Sequence, residues 1–260
     1  MDTKIAVVIP AFNEEKRIKE TISNVRKYCE NIIVIDDGST DNTLNIIKKL
    51  GVTVLINKSN LGLTETLKKG FKYALDNNYD AIVKIDADGQ MNPMIILNLI
   101  NEFEKGDYDI ICGTFNTDTP FFLKIDVFIY SSLFSLASLK YHRDIISEFR
   151  LLNKKAIKIF LDSRVNGYSS NLSIINLAKK KCKIYYLKNG VDFTRVHERP
   201  FPLESMIRLR YDFFRELWNY GFLWSKIVSI ISIPILTLHL VFNLIFARKY
   251  NSIKSKKKLR

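Results

Sequence analysis

The sequence predicts an α/β fold in which a mostly parallel sheet is flanked by helices and followed by a C-terminal hydrophobic helix. Over residues 1–112, short runs rich in Val and Ile alternate with helical patterns, as in a chain of βαβ units. These runs are continuously apolar, which is typical of parallel strands buried on both faces. With 260 residues, 47% of them hydrophobic, the chain can bury the core of one large domain.

The first half of the chain alternates regularly between the two kinds of element. The predicted strands are residues 5–9, 32–35, 52–56, 81–85 and 108–112. The predicted helices are residues 14–28, 43–50, 63–75 and 93–105. Sheets of this kind bind ligands beyond the carboxyl ends of their strands. The residues that follow each strand are therefore the first candidates for a functional site.

The second half continues the same domain, which we place at residues 1–200. Residues 121–139 are mostly apolar but are interrupted by Lys124 and Asp126. This pattern fits either an amphipathic helix at a membrane surface or an ordinary core helix. The predicted elements that follow are helices at 153–161 and 169–181 and strands at 183–187 and 191–196.

The C-terminal part of the sequence suggests a membrane partner. Residues 201–226 form a basic amphipathic segment, and residues 227–247 contain no Asp, Glu, Lys or Arg. The apolar run reaches the ~20 residues that cross a bilayer, but basic residues flank both of its ends and give no orientation. One crossing, a helix in the membrane interface and a soluble core helix all remain open. Residues 248–260 form a basic tail that either is solvated or contacts lipid headgroups.

The overall charge and the cysteines narrow the partners and the compartment. The net charge of +13 suits an anionic partner. The sequence has no recognised nucleic-acid-binding motif, so we expect no nucleic-acid partner. Its three cysteines form no metal-like pair, which favours a reducing compartment. Because no signal peptide pattern precedes the first strand, we expect the N-terminal domain to be cytoplasmic.

Two carboxylates follow the fourth predicted strand. Asp86 and Asp88 are two residues apart, so in an extended segment their side chains face the same way. Gln90 arrives after a turn at Gly89. Oxygen ligands of this kind suit Mg²⁺ or Mn²⁺, which complete their coordination with substrate phosphates and water. The alternative is a turn rich in Asp and Gly that only caps the next helix.

Ligand-type residues also follow the first three strands. Phe12 can pack on a base and Glu14 can face a nucleotide, while Asp37 can accept hydrogen bonds from a base or ribose. The segment 60–62 (Asn-Leu-Gly) opens a helix whose amides either face a phosphate or form only a tight turn. Together with the acids after the fourth strand, these residues predict a nucleotide site at one edge of the sheet.

At this level of detail the chain resembles glycosyltransferase family 2, which has the GT-A fold. The match rests on four segments of the sequence, residues 7–15 (VVIPAFNEE), 35–41 (IDDGSTD), 60–62 (NLG) and 86–90 (DADGQ). The last segment is similar to that of dolichyl- and polyprenyl-phosphate sugar synthases. The resemblance implies a metal-dependent, inverting hexosyltransferase that uses a nucleotide-diphosphate sugar.

The resemblance also implies roles for individual residues. The side chains expected to hold the nucleoside are Pro10, Phe12, Glu14, Ile35 and Asp37. The residues expected to touch the sugar nucleotide are Asp86 and Ala87. Those expected to bind Mg²⁺ or Mn²⁺ are Asp88 and Gln90, with Asp86 nearby.

A second part of the resemblance concerns catalysis and the acceptor. Residues 147–152 (SEFRLL) resemble a segment of the lipid-phosphate sugar synthases, which makes Glu148 and Arg150 candidate catalytic residues together with Asp88. Alternatively, Glu148 and Arg150 pair with each other on the surface. Either Arg195 or Arg199 is expected to face a phosphate.

Three functions follow from these observations. The first is sugar transfer to a polyprenyl or dolichyl phosphate at the cytoplasmic membrane face. The second is transfer to a sugar hydroxyl of a glycan or polysaccharide. The third is a non-catalytic, nucleotide-binding relative, because the chain has Phe115 where relatives carry an arginine.

Overall fold

A computed structural model describes residues 3–89, 91–115, 121–147, 149–162, 177–191, 203–220 and 223–257. Within these ranges seven strands form one sheet, in the order β3-β2-β1-β4-β6-β5-β7. The strands are β1 Ile5–Ala11, β2 Ile32–Asp36, β3 Thr53–Ile56, β4 Ala81–Lys84, β5 Ile110–Phe115, β6 Arg150–Asn153 and β7 Ile184–Val191. All neighbouring pairs are parallel except those of β6, which runs antiparallel to β4 and β5. The predicted mostly parallel α/β sheet is confirmed.

Helices cover both faces of this sheet, and the two C-terminal helices pack against one of the covering helices. The helices are α1 Ile18–Arg26, α2 Thr43–Lys48, α3 Leu63–Asp76, α4 Ile95–Lys105, α5 Phe121–Ser138, α6 Lys154–Asp162, α7 Leu203–Trp218 and α8 Leu223–Lys257. Every residue of β1 and β2 is buried, because helices pack on both sides of these central strands. Two buried apolar clusters form the core, one on each face of the sheet.

Most predicted elements coincide with observed ones, and the differences have local causes. Helix α1 begins at Ile18, four residues after the predicted start, because residues 14–17 form a turn. Strand β7 is one continuous strand to Val191 where we predicted a break after residue 187. Residues 169–176 and 192–196 of the predicted helix and strand lie outside the described residues. Strand β6 was not predicted at all.

Helix α5 packs in the core, as expected for one of the two alternatives at residues 121–139, while contact with a membrane surface stays a prediction. Tyr130 and Phe134 are fully buried in the core, whereas Phe128 is 72% exposed. The helix therefore packs one face on the sheet and presents the other outward.

Helices α7 and α8 form an antiparallel hairpin against α5. Ser229 donates a hydrogen bond to the carbonyl of Phe214, and Arg210 donates one to the carbonyl of Leu236. The two helices therefore run in opposite directions. Among the described residues, one helix is long and apolar enough to cross a membrane, over Leu223–Leu240. The predicted apolar run 227–247 lies within α8, which continues through the basic tail to Lys257.

Candidate active site

The carboxyl ends of β1, β2 and β4 meet at one edge of the sheet. The register pairs Ala11 of β1 with Asp36 of β2, and the amide of Ile85 donates to the carbonyl of Val8 at 3.1 Å. The loops that follow these strands therefore start side by side. Those loops carry the sequence-predicted acids, as expected for the ligand-binding edge of an α/β sheet.

The loop after β1 and the loop after β2 are joined by reciprocal hydrogen bonds. The amide of Asn13 donates to the Ser39 hydroxyl at 3.0 Å, and the side-chain oxygen of Asn13 accepts from the Thr40 amide at 2.8 Å. Asn13 has a φ of 54°, a left-handed conformation that Asn tolerates better than most residues. The amide of Glu14 donates to the Thr43 hydroxyl. These hydrogen bonds fix the position of the loop that carries Phe12 and Glu14.

The buried carboxylate of Asp37 closes the loop that leads into α3. Its Oδ1 atom accepts from the Asn57 amide group at 2.8 Å and from the Leu61 amide at 2.9 Å, and its Oδ2 atom accepts from the Gly62 amide at 2.9 Å. Asp37 is 4% exposed. The helix that residues 60–62 are predicted to open is confirmed as α3, and Asp37 binds the two amides that immediately precede it. The expected contact of Asp37 with a nucleoside stays a prediction.

Asp36 supports the same turn from below. It is buried, and its Oδ2 atom accepts from the Ser39 amide at 3.2 Å. Its Oδ1 atom has no hydrogen-bond partner within the part of the chain that the structure describes. The described residues thus supply hydrogen bonds to both oxygens of Asp37 but to only one oxygen of Asp36.

The acids after β4 lie at the rim of the sheet. Asp86 and Asp88 are half-buried, and Ala87 between them is 4% exposed. The Thr21 hydroxyl donates to the carbonyl of Ala87 at 3.0 Å, which fixes the segment against α1. Residues 87–89 form a turn rather than an extended segment, so the expectation that the two carboxylates face the same space stays a prediction. Gly89 has a φ of 69° and turns the chain sharply after them.

A lysine that the sequence analysis overlooked lies directly beneath these acids. The Nζ atom of Lys84 is 2.6 Å from Oδ1 of Asp86, and Lys84 is only 3% exposed. A buried ammonium is tolerated when it is paired, and the i, i+2 spacing places Lys84 and Asp86 on the same side of the chain. That spacing is the signal by which Lys84 could have been found.

The nucleoside-binding candidates occupy two different environments. Phe12 is 41% exposed, and Glu14 forms an ion pair with Arg17 at 2.9 Å with its carboxylate still accessible. Pro10 is buried within β1, and Ile35 is fully buried in the core against α3. Only the backbone of Pro10 and Ile35 can therefore reach the edge, whereas Phe12 and Glu14 present their side chains there.

Arg150 is buried rather than at the surface, whereas its expected pairing with Glu148 is not tested because Glu148 lies outside the described residues. Arg150 is 4% exposed, and its guanidinium donates to the carbonyl of Ile145 at 2.9 Å. In the register of β4 and β6 it is the direct neighbour of Lys84, so two cationic side chains lie side by side behind the rim. The other candidates, Gln90, Glu148, Arg195 and Arg199, lie outside the described residues.

The donor set at the rim fits a divalent cation that shares its coordination with a substrate. No group of three or more His, Cys, Asp or Glu side chains that could hold a metal occurs in the described ranges. Asp86 and Asp88 alone supply two carboxylates, and Mg²⁺ typically binds one or two carboxylates together with substrate phosphates and water. The site therefore matches a metal that arrives with a diphosphate better than a closed structural metal site.

This combination of fold and rim defines the chain as a GT-A-like protein of the nucleotide-sugar class. A family model described as glycosyl transferase family 2 matches residues 6–160. The chain belongs to that family.

Two curated archaeal relatives cover most of the same domain. One, an uncharacterized protein of Methanocaldococcus jannaschii, is 35% identical over 193 residues, which are 68% of this chain and 83% of the relative. The second is the UDP-N-acetylglucosamine--dolichyl-phosphate N-acetylglucosaminyltransferase of Methanococcus voltae. It is 28% identical over 204 residues, which are 69% of this chain and 81% of the relative.

Solved structures confirm the fold. Glucosyl-3-phosphoglycerate synthase from Mycobacterium tuberculosis in complex with UDP superposes with a TM-score of 0.68 at 21% identity, covering 84% of this chain and 80% of that chain. The same synthase with Mn²⁺, UDP and phosphoglyceric acid gives a TM-score of 0.67 at 19% identity, with 84% and 78% covered. The expected GT-A fold is thereby confirmed.

Proposed function

We propose that this glycosyltransferase moves a sugar from a nucleoside-diphosphate sugar to a polyprenyl or dolichyl phosphate at the cytoplasmic face of a membrane. The observation that carries the proposal is the combination of an acidic rim after β4 with an apolar helical hairpin on the same domain. The relative from Methanococcus voltae, named for transfer to dolichyl phosphate, supports the acceptor. In this proposal residues 1–200 form the catalytic domain and residues 201–260 the membrane-associated part.

The rim would receive the diphosphate of the donor. Asp86, Asp88 and Gln90 are the proposed ligands of Mg²⁺ or Mn²⁺, and such a cation would neutralise the negative charge that grows on the leaving diphosphate. Lys84 holds Oδ1 of Asp86, so Oδ2 is the oxygen proposed to face the donor. The structures of the mycobacterial synthase with Mn²⁺ and UDP support this use of a metal. Phe12 and Glu14 would contact the nucleoside.

The acceptor chemistry follows from the charge of a phosphate monoester. Its second pKa of ~6 leaves it ionised near neutral pH, so it can attack the anomeric carbon without a strong general base. The protein must instead hold the phosphate, which is the role proposed for Arg195 or Arg199. Arg150 is too buried to be the first contact, and we propose that it supports the segment that carries Glu148.

A sugar hydroxyl is the second candidate acceptor. The mycobacterial synthase that shares the fold is named for glucosyl-3-phosphoglycerate and was crystallised with phosphoglyceric acid, so lipid acceptors are not a property of the fold. A hydroxyl needs a general base, and Glu148 is the candidate. A Glu148→Gln variant that keeps a near-normal rate would remove Glu148 as an obligatory base.

Transfer of radiolabelled sugar distinguishes the two acceptors. The purified chain is incubated with a panel of labelled nucleotide sugars, polyprenyl phosphate and either Mg²⁺ or Mn²⁺. The proposal predicts metal-dependent appearance of label in the organic phase. Label that moves only into a water-soluble glycan would overturn the lipid acceptor and support the second candidate. Binding of the nucleotide sugar without release of nucleoside diphosphate to any acceptor would indicate a non-catalytic relative.

A further inference from the structure

The apolar and polar faces of α8 are inverted relative to those of a helix on a water-soluble protein. The buried residues of Leu223–Leu240 lie along one side of the helix, and four of the six are polar, three serines and a histidine. They are Ser225, Val228, Ser229, Ser232, Leu236 and His239. The opposite face is aliphatic and exposed, with Ile230 at 55% and Leu238 at 73%. A surface helix in water normally has the reverse arrangement.

Helix α7 shows the same inversion. Arg210, Asp212 and Glu216 are all buried. Its outward residues are instead Tyr211, 64% exposed, and Trp218, 40% exposed. Charged side chains are buried when they are paired, and Asp212 and Glu216 each lie 3.2 Å from the Arg215 guanidinium. The acids of α7 are thus paired within the protein, while aromatic side chains of the helix are left exposed.

Polar side chains lie close to one another inside the hairpin and where it meets α5. His239 Nε2 lies 3.3 Å from the Asp126 carboxylate of α5, and Arg210 Nη2 lies 3.4 Å from His239 Nδ1. Small hydroxyl residues at helix contacts and hydrogen bonds between helices are the means by which helices associate in lipid. The polar groups of α7 and α8 therefore face the protein, and their apolar groups face outward.

The position of α5 determines how α7 and α8 are oriented relative to the catalytic domain. The inner side of α5 packs in the sheet's core through Tyr130 and Phe134. Because α7 and α8 lie along α5, they lie flat on one flank of the catalytic domain. A bilayer crossing by Leu223–Leu240 would immerse α5 as well, together with the flank of the catalytic domain on which α5 packs, which is strongly unfavourable.

We propose that the outer faces of α5, α7 and α8 form a docking surface for one membrane leaflet, with α8 parallel to the membrane plane. The surface is defined by Phe128, Tyr211, Ile227, Ile230, Ile231 and Leu238. This docking surface would bring the catalytic domain to the leaflet that contains the lipid acceptor, and in that respect it rests on the proposed function. Its physical test requires no sugar transfer.

The residues around this surface favour a lipid leaflet over a second copy of the chain. Trp218 and Trp224 lie together at the turn of the hairpin, each about 40% exposed, and Lys226 lies 5.5 Å above the Trp218 ring. Aromatic rings with adjacent cations are typical of the level of the lipid headgroups. The basic residues that follow the apolar run, in the segment 248–260, complement anionic lipids.

The chain contains two tryptophans, and both border this surface, so intrinsic fluorescence tests the proposal directly. Anionic phosphatidylglycerol vesicles are added to the full chain, and we expect a blue shift of the emission. Lipids brominated near the headgroup end of the acyl chain should quench more strongly than lipids brominated near the chain terminus. Stronger quenching by the deep label would overturn the in-plane orientation, because the hairpin turn would then be inserted. No spectral change would overturn membrane docking.

Paired charge substitutions locate the surface. Ile230→Asp with Leu238→Asp should weaken vesicle binding by roughly tenfold or more, because two aliphatic side chains are replaced by charges. The matched control is Met94→Asp with Leu97→Asp at the start of α4, where the side chains are 53% and 43% exposed and binding should change less than about twofold. Equal loss in both pairs, or a soluble dimer that the Ile230/Leu238 pair dissociates, would overturn the proposal.

Binding of UDP, measured by calorimetry, separates this proposal from the proposed function. Both paired variants should bind UDP as the unmodified chain does, because neither pair lies at the rim of β4. Vesicle binding without any lipid-linked product would contradict the acceptor but leave the docking surface intact. Lipid-linked product from a chain that does not bind vesicles would contradict the docking surface alone.

Discussion

Lys84 and Asp86 form a buried ion pair, 2.6 Å long, directly beneath the rim of the candidate active site. The ammonium is almost inaccessible, whereas the carboxylate side chain is 31% exposed. One end of the pair is thus anchored in the sheet and the other reaches the site. Lys84 orients Asp86 and offsets part of the negative charge that two neighbouring carboxylates would otherwise concentrate there.

Loss of the lysine should be coupled energetically to loss of its partner. Lys84→Met leaves Asp86 without its cation, and Asp86→Asn leaves the buried ammonium without its anion. We expect a coupling free energy of about 1 kcal/mol or more in a double-mutant cycle, measured by urea unfolding of the two single variants and the double variant. Strictly additive free energies would show that the two side chains do not act as a pair.

The turn after β2 should tolerate no side chain at Gly38. Its φ is +70°, and a Cβ atom would lie 2.6 Å from the backbone carbon of Ser59. Gly38→Ala should therefore destabilise the fold by roughly 2 kcal/mol or more. The matched control is Gly51→Ala, with a φ of +62° and nothing within 4 Å, which should cost only about 1–2 kcal/mol. Equal losses in thermal unfolding would contradict the close contact of the two loops.

Asp37 should be important for stability whether or not it also contacts a nucleoside. Asp37→Asn replaces one of two accepting oxygens by an NH₂ group that faces protein N–H donors, and unsatisfied buried groups cost about 1–3 kcal/mol each. Denaturant unfolding without ligand measures the loss. The control, Asp76→Asn, removes an exposed pair with Lys72 and should change stability by less than about 1 kcal/mol. A stable Asp37→Asn protein would contradict the proposed bracing of α3.

His142 should make stability depend on pH in the mildly acidic range. Burial lowers the pKa of His142 to about 4, whereas an unfolded histidine has a pKa of about 6.5. Between these values the unfolded chain binds a proton that the folded chain does not, so stability is full above pH ~6.5 and falls as the pH drops towards 4. His142→Gln should flatten that part of the unfolding curve. An unchanged slope would show that His142 is not the group responsible.

The central strands and the acidic segments were predictable because their signals are local. The segments 5–9 and 32–35 are uninterrupted apolar runs, and only a strand buried on both faces needs such a run. The position of Asp86 and Asp88 followed from the rule that α/β sheets bind ligands at their carboxyl edge. No tertiary information was needed for either conclusion.

The features that the sequence did not reveal depend on contacts between distant segments. Strand β6 has few residues and reverses direction between β4 and β5, a position that its short apolar pattern cannot specify. The i, i+2 spacing of Lys84 and Asp86 indicates that they share a side of the chain, but the burial of Lys84 follows only from the packing of the sheet and its helices. In α8, an apolar run does not show which face is inside, so the outward position of Ile230 required the packing of α5 and α7.

Asp88→Asn tests whether the acids after β4 hold the donor's diphosphate through a divalent cation. Calorimetric titration with UDP, with and without Mn²⁺, and release of nucleoside diphosphate from the donor are measured on the same samples. We expect Mn²⁺-dependent binding of UDP in the unmodified chain, loss of that dependence in Asp88→Asn, and turnover reduced roughly a hundredfold or more. Asp107→Asn, at a highly exposed carboxylate, should behave like the unmodified chain. Unchanged metal-dependent binding and turnover in Asp88→Asn would show that this carboxylate does not hold the cation.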